Sequence, residues 1–358
     1  MPDYDYGNAR LHAMKSRLLT SSELDTLANA GSLQGLISAL TKTAYQKSVE
    51  SALTRTAGMD CIEDALRNNL ESTVGKIRSF YTNGAREMAA IVLRAYDIHN
   101  LKAILRGLSK NVPAGEILKS LLPVGELKYN MLRELARLRN PREAIDALVS
   151  MGQPVAWPLI TLRAERPGAE LFELELALEQ WHYLEARRSL RTKNRLDGSL
   201  AHALALEADL SNVLTALRFA REPSERELLH DYFGDEQVNC LFIGPGHIAF
   251  DVFTDACHRD NVAAAIEALA DTPLEPALQV GLKYYEGSQR LSDIEKQLRH
   301  YRLKWMATQM VEDPLGIGMV LGYIAIKTNE VSNIRWIAHG INLGLKVEAI
   351  QNELEMAP

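Results

Sequence analysis

Three acidic residues, each followed three positions later by an asparagine, have the types and spacing best suited to chemistry. They lie in Asp97-Ile98-His99-Asn100-Leu101, Asp209-Leu210-Ser211-Asn212-Val213 and Glu330-Val331-Ser332-Asn333-Ile334. A carboxylate accepts hydrogen bonds from backbone N–H groups, and an asparagine amide both donates and accepts them. Three such pairs at one end of a molecule would also form a polar contact ring for a partner. The candidate interface residues are therefore Asp97, Asn100, Asp209, Asn212, Glu330 and Asn333.

One basic segment is a second candidate contact site. The stretch from Glu185 to Arg195 concentrates positive charge, and it includes Arg187, Arg188 and Arg191. A solvated helix end is one interpretation of such a segment, and a docking site for an acidic partner is the other, so we retain the three arginines as candidate interface residues. No run of Lys and Arg would neutralise several phosphates, and the net charge is −6. We therefore expect no nucleic-acid partner.

The sequence lacks the patterns that signal catalysis or a cofactor. It has no G-x-x-x-x-G-K-[ST] loop to cradle phosphates, so we do not expect the chain to hydrolyse ATP by itself. Its nine histidines show no H-E-x-x-H pairing, and its three cysteines show no C-x-x-C spacing. We predict no catalytic residues, no cofactor and no metal. A helical enzyme with an unrecognised site is the least favoured alternative.

No segment of the sequence suggests export or a membrane span. The first residues are acidic rather than basic and then apolar. The longest weakly polar stretch, from Leu315 to Ile326, is well short of the ~20 apolar residues that cross a bilayer. We expect a protein of the reducing cytoplasm that meets a membrane only through another protein.

Helices must position the candidate residues. Aromatic residues make up only 6% of the chain, while Leu and Ala dominate, a balance that favours an all-α fold. After the first asparagine, apolar residues recur with i, i+3, i+4, i+7 spacing, at Leu101, Ile104, Leu105 and Leu108. A similar spacing precedes Asp97. We therefore expect each acid-x-x-Asn segment to be a tight corner between two helices, with the acid near a helix N-terminus.

The chain repeats this organisation three times. The asparagines are separated by 212 − 100 = 112 and 333 − 212 = 121 positions. Two further blocks recur at nearly the same offsets, one ending at Leu66, Leu178 and Leu298 and one at Leu40, Leu148 and Leu269. A repeat that cannot bury its own apolar face implies neighbours that complete the core. We predict three helical modules, residues 1–120, 121–236 and 237–358, arranged around a common axis or stacked as a short superhelix.

Three segments resemble one known family. They are Tyr4-Asp5-Tyr6-Gly7-Asn8-Ala9-Arg10-Leu11-His12-Ala13-Met14-Lys15-Ser16-Arg17-Leu18-Leu19, Asp97-Ile98-His99-Asn100-Leu101-Lys102-Ala103-Ile104-Leu105-Arg106-Gly107 and Asn333-Ile334-Arg335-Trp336-Ile337-Ala338-His339-Gly340. In order and content they are similar to the C subunit of archaeal and bacterial A/V-type ATPases, the counterpart of the d subunit of eukaryotic V-ATPases. The chain departs from this family in having His339 where Arg or Lys is expected, and Trp157 where the first repeat has Thr43-Ala44-Tyr45.

The resemblance implies a fold and a role. The family fold is all-α, with three pseudo-threefold-related helical modules forming a funnel-shaped molecule. By resemblance, one end accepts the rotor shaft, which is the coiled-coil D subunit with its small companion, the F subunit, and the other end rests on the proteolipid ring. The protein would then be a non-catalytic central-stalk subunit, peripheral on the cytoplasmic side of the membrane, that serves ATP-driven or ATP-producing proton or sodium transport. The alternative is a helical-repeat scaffold that binds soluble partners.

Overall fold

The computed structural model describes residues 3–192, 198–222 and 241–356, and within these ranges it consists of helices without β-strands. The all-α prediction is confirmed. The helices, in chain order, are α1 (Asp5–Lys15), α2 (Ser21–Ala28), α3 (Leu33–Leu40), α4 (Gln46–Leu53), α5 (Gly58–Phe80), α6 (Asn83–Ser109), α7 (Ala114–Lys119), α8 (Tyr129–Ala136), α9 (Pro141–Ser150), α10 (Ala156–Glu165), α11 (Leu171–Thr192), α12 (Ser199–Arg221), α13 (Phe250–Cys257), α14 (Val262–Ala268), α15 (Glu275–Ser288), α16 (Leu291–Glu312), α17 (Gly318–Asn342) and α18 (Val347–Gln351).

Most of these helices fall into three series, in which short and long helices follow each other in the same order. After α1, three short helices (α2 to α4) precede two long ones (α5 and α6) and the short α7. The same order begins again at α8, with α11 and α12 as the long pair, and again at α13, with α16 and α17 as the long pair and α18 after them. The three sequence blocks therefore fall on corresponding helices.

The second short helix of each series begins with a side-chain cap. Ser32, Asn140 and Asn261 each accept the backbone N–H three residues later, at 3.0, 2.9 and 2.9 Å. Such a cap satisfies a helix N–H that would otherwise lack a partner, and replacing it with alanine typically costs ~1 kcal/mol. The positions are 140 − 32 = 108 and 261 − 140 = 121 residues apart, which are also the separations of Leu40, Leu148 and Leu269.

The chain forms two compact units, one with Met1–Ala147 and Met306–Pro358 and one with Leu148–Trp305. In the first unit, Tyr45, Leu66 and Ile77 are fully buried, as are Phe253 and Leu269 in the second. Burying one such side chain contributes ~1.5–3 kcal/mol. These units do not coincide with residues 1–120, 121–236 and 237–358, and the division into three modules stays a prediction.

Across the described residues, no helix has the length and apolar character that a transmembrane span requires.

The prediction of a corner at each acid-x-x-Asn segment is wrong. Asp97 and Asn100 lie inside α6, Asp209 and Asn212 inside α12, and Glu330 and Asn333 inside α17. The apolar period continues unbroken through each segment, so nothing in the chain stops the helix. Residues three apart lie on the same face of a helix, and in each of these three helices the two polar side chains are buried together.

Candidate functional site

Asn100 holds the backbone of the segment that follows α7. Its amide nitrogen donates to the carbonyl oxygen of Leu122 at 2.7 Å, and its amide oxygen accepts the N–H of the same residue at 2.8 Å. Asn100 is 0% exposed, so the two bonds satisfy polar groups that water does not reach. The amide thereby replaces a backbone partner and fixes the path of the chain after the first series of helices.

Asp97, one turn earlier on α6, accepts two consecutive backbone N–H groups. They belong to Glu126, 2.7 Å from Oδ2, and to Leu127, 3.0 Å from Oδ1. Leu127 directly precedes Lys128, the N-cap residue of α8. Because Lys128 supplies no side-chain cap of its own, the carboxylate of α6 stabilises the segment that leads into α8.

Helix α12 makes the same two interactions with the segment before α13. Asn212 donates to the carbonyl of Gly244 at 3.1 Å and accepts the N–H of Ile243 at 2.9 Å. Asp209 accepts two consecutive backbone N–H groups, those of His247 at 2.8 Å and Ile248 at 3.2 Å. Ile248 directly precedes the N-cap of α13, so the register is the same as in α6.

A glycine lets each of these loops approach the aspartate. A Cβ on Gly125 would lie 1.9 Å from Asp97 Oδ1, and a Cβ on Gly246 would lie 1.9 Å from Asp209 Oδ1. Neither distance is physically possible. In the Gly244-Pro245-Gly246-His247 segment, the N–H of His247 is therefore able to bind the buried Asp209.

Helix α17 carries the third pair, with a different partner for its acid. Asn333 donates to the carbonyl of Glu355 at 2.9 Å and accepts the N–H of the same residue at 3.1 Å. Glu330 Oε2 accepts the N–H of Leu19 at 2.5 Å. Leu19 directly precedes Thr20, the N-cap of α2, so Glu330 binds the position in the first series that corresponds to Leu127 and Ile248.

The other oxygen of Glu330 lies in a buried polar cluster. Glu330 Oε1 is 2.6 Å from Lys327 Nζ and accepts the hydroxyl of Tyr45 at 2.7 Å. Lys327 also donates to that hydroxyl at 3.0 Å and lies 4.3 Å from the centre of the tyrosine ring. All three residues are 3% exposed or less. A buried pair of this kind is stable only because each charge has its partner.

Burial dominates the electrostatics of these acids. It raises the pKa of Asp97 from 3.8 to about 6, against the opposing effect of the N–H groups of Glu126 and Leu127. It also raises the pKa of Asp209, again opposed by two backbone N–H groups. Burial, followed by the neighbouring Glu330, raises the pKa of Tyr45, and burial lowers the pKa of Lys327 although Glu330 acts the other way.

The six acid and asparagine residues are thus engaged within the chain. Each is buried, and each binds backbone or side-chain groups of another segment of its own unit. We propose an internal structural role for them in place of the partner contact expected from the sequence. The sequence analysis missed three partners, Leu19, Gly125 and Gly246. Each of the two loops contains a glycine, 125 − 97 = 28 residues after Asp97 in one and 246 − 209 = 37 residues after Asp209 in the other. These glycines were the signal in the sequence that pointed to the loops.

The three arginines lie near the C-terminal end of α11. Arg187 donates to the hydroxyl of Tyr183 at 2.8 Å, with its guanidinium 5.6 Å from the centre of that ring. Arg188 is 78% exposed and lies 3.5 Å from Glu185 on the same helix, and Arg191 is exposed. Exposed pairs of this kind contribute little to stability, so Arg188 and Arg191 are available to a partner whereas Arg187 is partly committed.

His339 and Trp157, the two residues that depart from the family pattern, lie in different surroundings. His339 Nε2 lies 3.8 Å from Glu63, a carboxylate that Arg335 Nε already binds at 3.1 Å. Trp157 on α10 is 67% exposed, whereas Tyr45 is 0% exposed. The tyrosine serves the Glu330 cluster, and the tryptophan faces solvent.

The described residues contain no group of three or more His, Cys, Asp or Glu side chains arranged to hold a metal ion. A cleft of about 210 Å³ lies in the second unit, where Asp209 and the stacked rings of His202 and His247 form part of its wall. Both Asp209 oxygens are already engaged with backbone N–H groups. The carboxylate thereby joins α12 to the segment before α13.

Comparison with known proteins gives concordant matches along the chain. The sequence model of a family described as ATP synthase (C/AC39) subunit matches residues 7–353. The C subunit of the A-type ATP synthase of Methanosarcina acetivorans is 28% identical over 361 residues, covering 98% of this chain and 92% of the relative. The C subunit of the V-type ATP synthase of Deinococcus radiodurans is 26% identical over 357 residues, covering 99% and 92%. The corresponding V-type protein of Thermus thermophilus is 26% identical over 352 residues, covering 98% of both chains.

Proposed function

This chain belongs to the family of ATP synthase C/AC39 subunits, and on that premise we propose that it is a central-stalk subunit of a V/A-type rotary ATPase. In this role it couples the rotor shaft to the proteolipid ring in the membrane. The observation that carries the proposal is the family match over residues 7–353, together with relatives named as C subunits that align over nearly their whole length.

The internal bonding supports a mechanical role. A protein that couples two rotating parts has to transmit torque without deforming, and close-packed protein interiors are only slightly compressible. Asn100, Asn212 and Asn333 each fix the backbone of a following segment through two hydrogen bonds. Polar networks that are fully satisfied in this way stiffen a fold.

We propose further that the chain is non-catalytic. Its family relatives are named as subunits of a larger complex, and Asp97 and Asp209, which first suggested chemistry, each accept two internal N–H groups. The D and F subunits of the shaft and the proteolipid ring are the proposed partners. The proposed location is peripheral, on the cytoplasmic side of the membrane.

We also keep the three-module funnel as a proposal. Its support is the recurrence of helix lengths in the series that begin at α2, α8 and α13. Corresponding caps at Ser32, Asn140 and Asn261 add to that support. The proposed modules are residues 1–120, 121–236 and 237–358.

A capture experiment tests the proposed function. Tagged full-length protein is used to capture partners from detergent-solubilised membranes of the source cells, followed by washes of increasing salt and identification of the bound chains. We expect head, shaft and proteolipid proteins of an ATPase, with the ring lost first as salt increases, because polar interfaces are screened. Recovery of soluble proteins unrelated to an ATPase would instead support the helical-repeat scaffold.

A further inference from the structure

The bonds made by the three acids differ in how the chain connects their partners. Asp97 and Asp209 bind N–H groups 29 to 39 residues further along the chain. Glu330 binds Leu19, which is 311 residues away. When a bond of the first kind breaks, the short connection keeps its partners close. The partners of Glu330 have no such short connection, so the contacts between their helices must hold them together.

The bond to Leu19 is reinforced where chain connection is weak. Glu330 binds Leu19 through one oxygen, and Tyr45 and Lys327 through the other. At the corresponding position, three residues before the acid, α12 has the apolar Leu206 and α6 has Arg94. Hydrogen bonds to charged groups are stronger than neutral ones, but the loss of one partner leaves an uncompensated buried charge.

We propose that Glu330, Lys327 and Tyr45 form a latch that holds the start of α2 against α17, and that this seam opens as one unit before the rest of its compact unit unfolds. Lys327, Tyr45 and the N–H of Leu19 share the single carboxylate of Glu330, so separating one of them from it weakens the other contacts. Opening also separates Gln351 from Asp25, which are 3.1 Å apart and join the last short helix to α2. This conformational device follows from the contacts alone and does not depend on the proposed role in an ATPase.

Hydrogen exchange of the full chain, followed by mass spectrometry, tests the latch. Glu330→Gln keeps the size of the side chain but removes the charge that Lys327 needs. We expect the exchange rates of residues 17–28 and 318–334 to rise together at least tenfold. The exchange rates of residues 121–136, which contain the partners of Asp97, are expected to stay within threefold of wild type. The double variant Glu330→Gln with Lys327→Met removes both charges and is expected to recover part of the protection.

Asp209→Asn is the matched control, because it removes an acid whose partners are close in the chain. Residues 243–257 are expected to accelerate less than tenfold. The proposal is overturned if Glu330→Gln raises exchange in residues 17–28 by less than tenfold, if residues 121–136 accelerate equally, or if the control opens its own segment as strongly.

A denaturant series on the wild-type chain gives the answer if Glu330→Gln does not fold. Exchange in residues 17–28 and 318–334 is then followed at low denaturant concentrations, below the global transition. One shared opening of these segments, at lower denaturant than the opening of residues 121–136, supports the latch. Opening of residues 17–28 together with or after residues 121–136 contradicts it.

Discussion

At the scale of the residue, the most informative side chains are acids buried at a cost and kept there by backbone donors. Asp97 accepts two N–H groups, and burial nevertheless raises its pKa from 3.8 to about 6. Desolvation of the carboxylate thus outweighs the two hydrogen bonds. Because the pKa is higher in the folded state than in the unfolded chain, the folded protein binds this proton more tightly. The stabilising contribution is complete below pH 3.8 and is lost as the pH rises through 6.

This sign gives a prediction for the pH dependence of stability. The free energy of unfolding of the wild type, relative to Asp97→Asn, is expected to fall by about 3 kcal/mol between pH 3.8 and about 6, at 1.36 kcal/mol for each pH unit, and to be flat at higher pH. Urea unfolding at a series of pH values measures it. Asp260→Asn, at an exposed position, is the control. A difference that grows as the pH rises would show that the N–H groups, rather than burial, determine the pKa.

At the scale of the element, the recurring feature is a long helix whose acid binds the backbone just before a short helix. The two loops before α8 and α13 come close to Asp97 and Asp209 because Gly125 and Gly246 have no Cβ. The corresponding place before Leu19 is Arg17, and there the acid is the longer glutamate. The extra methylene of Glu330 is consistent with reaching a backbone that a side chain keeps further away.

We predict opposite effects for two glycine-to-alanine changes. Gly125→Ala places a methyl group against Asp97, so we expect a loss of about 2 kcal/mol or more, since overpacking and a displaced buried acid both destabilise. Gly75→Ala, inside α5, meets no atom within 4 Å and should stabilise by about 0.5–1 kcal/mol, because alanine is the better helix former. Thermal unfolding of both variants measures the difference. If Gly125→Ala and Gly75→Ala had equal melting temperatures, the loop that contains residue 125 would be able to move away from Asp97.

The sequence was sufficient to predict the helices, but it was not sufficient to predict the contacts of the acid and asparagine pairs. The spacing of Leu101, Ile104, Leu105 and Leu108 predicts the second half of α6 correctly. Asp97 and Asn100 suggested a break in the helix because Asp and Asn are favoured at helix N-caps and in turns. The partners that make burial tolerable, such as the loop before α8, come together only through tertiary packing. Periodicity within one helix carries no information about them.

At the scale of the whole molecule, the hydrogen bonds of the acids connect the helix series in sequence. Asp97 joins the first series to α8, Asp209 joins the second to α13, and Glu330 joins the third back to α2. Each of these bonds lies within one compact unit. Every series is therefore tied to the next, and the last is tied to the first.

The exposed arginines of α11 give a prediction for the assembly. Arg188→Glu with Arg191→Glu reverses two exposed charges, and we expect at least tenfold weaker capture of ATPase components at low salt. The difference should shrink as salt increases, because screening reduces the wild-type attraction. Lys47→Glu with Lys76→Glu changes the net charge equally at exposed positions. If both pairs weaken capture to the same extent, net charge rather than the arginines is responsible.

The bonds of Asn333 and Glu330 on α17 have a consequence for where the chain can begin and end. Between the residue held by the asparagine and the residue held by the acid, the chain covers five positions in one case, from Leu122 to Leu127, and five in the other, from Ile243 to Ile248. Glu355 and Leu19 occupy the same two places around α17, without a direct connection. A circular permutant that keeps α1 within the connection from Glu355 to Leu19, and that begins at one of the other two junctions, is expected to keep every one of these bonds. The three polar pairs therefore do not require the chain to begin and end beside α17.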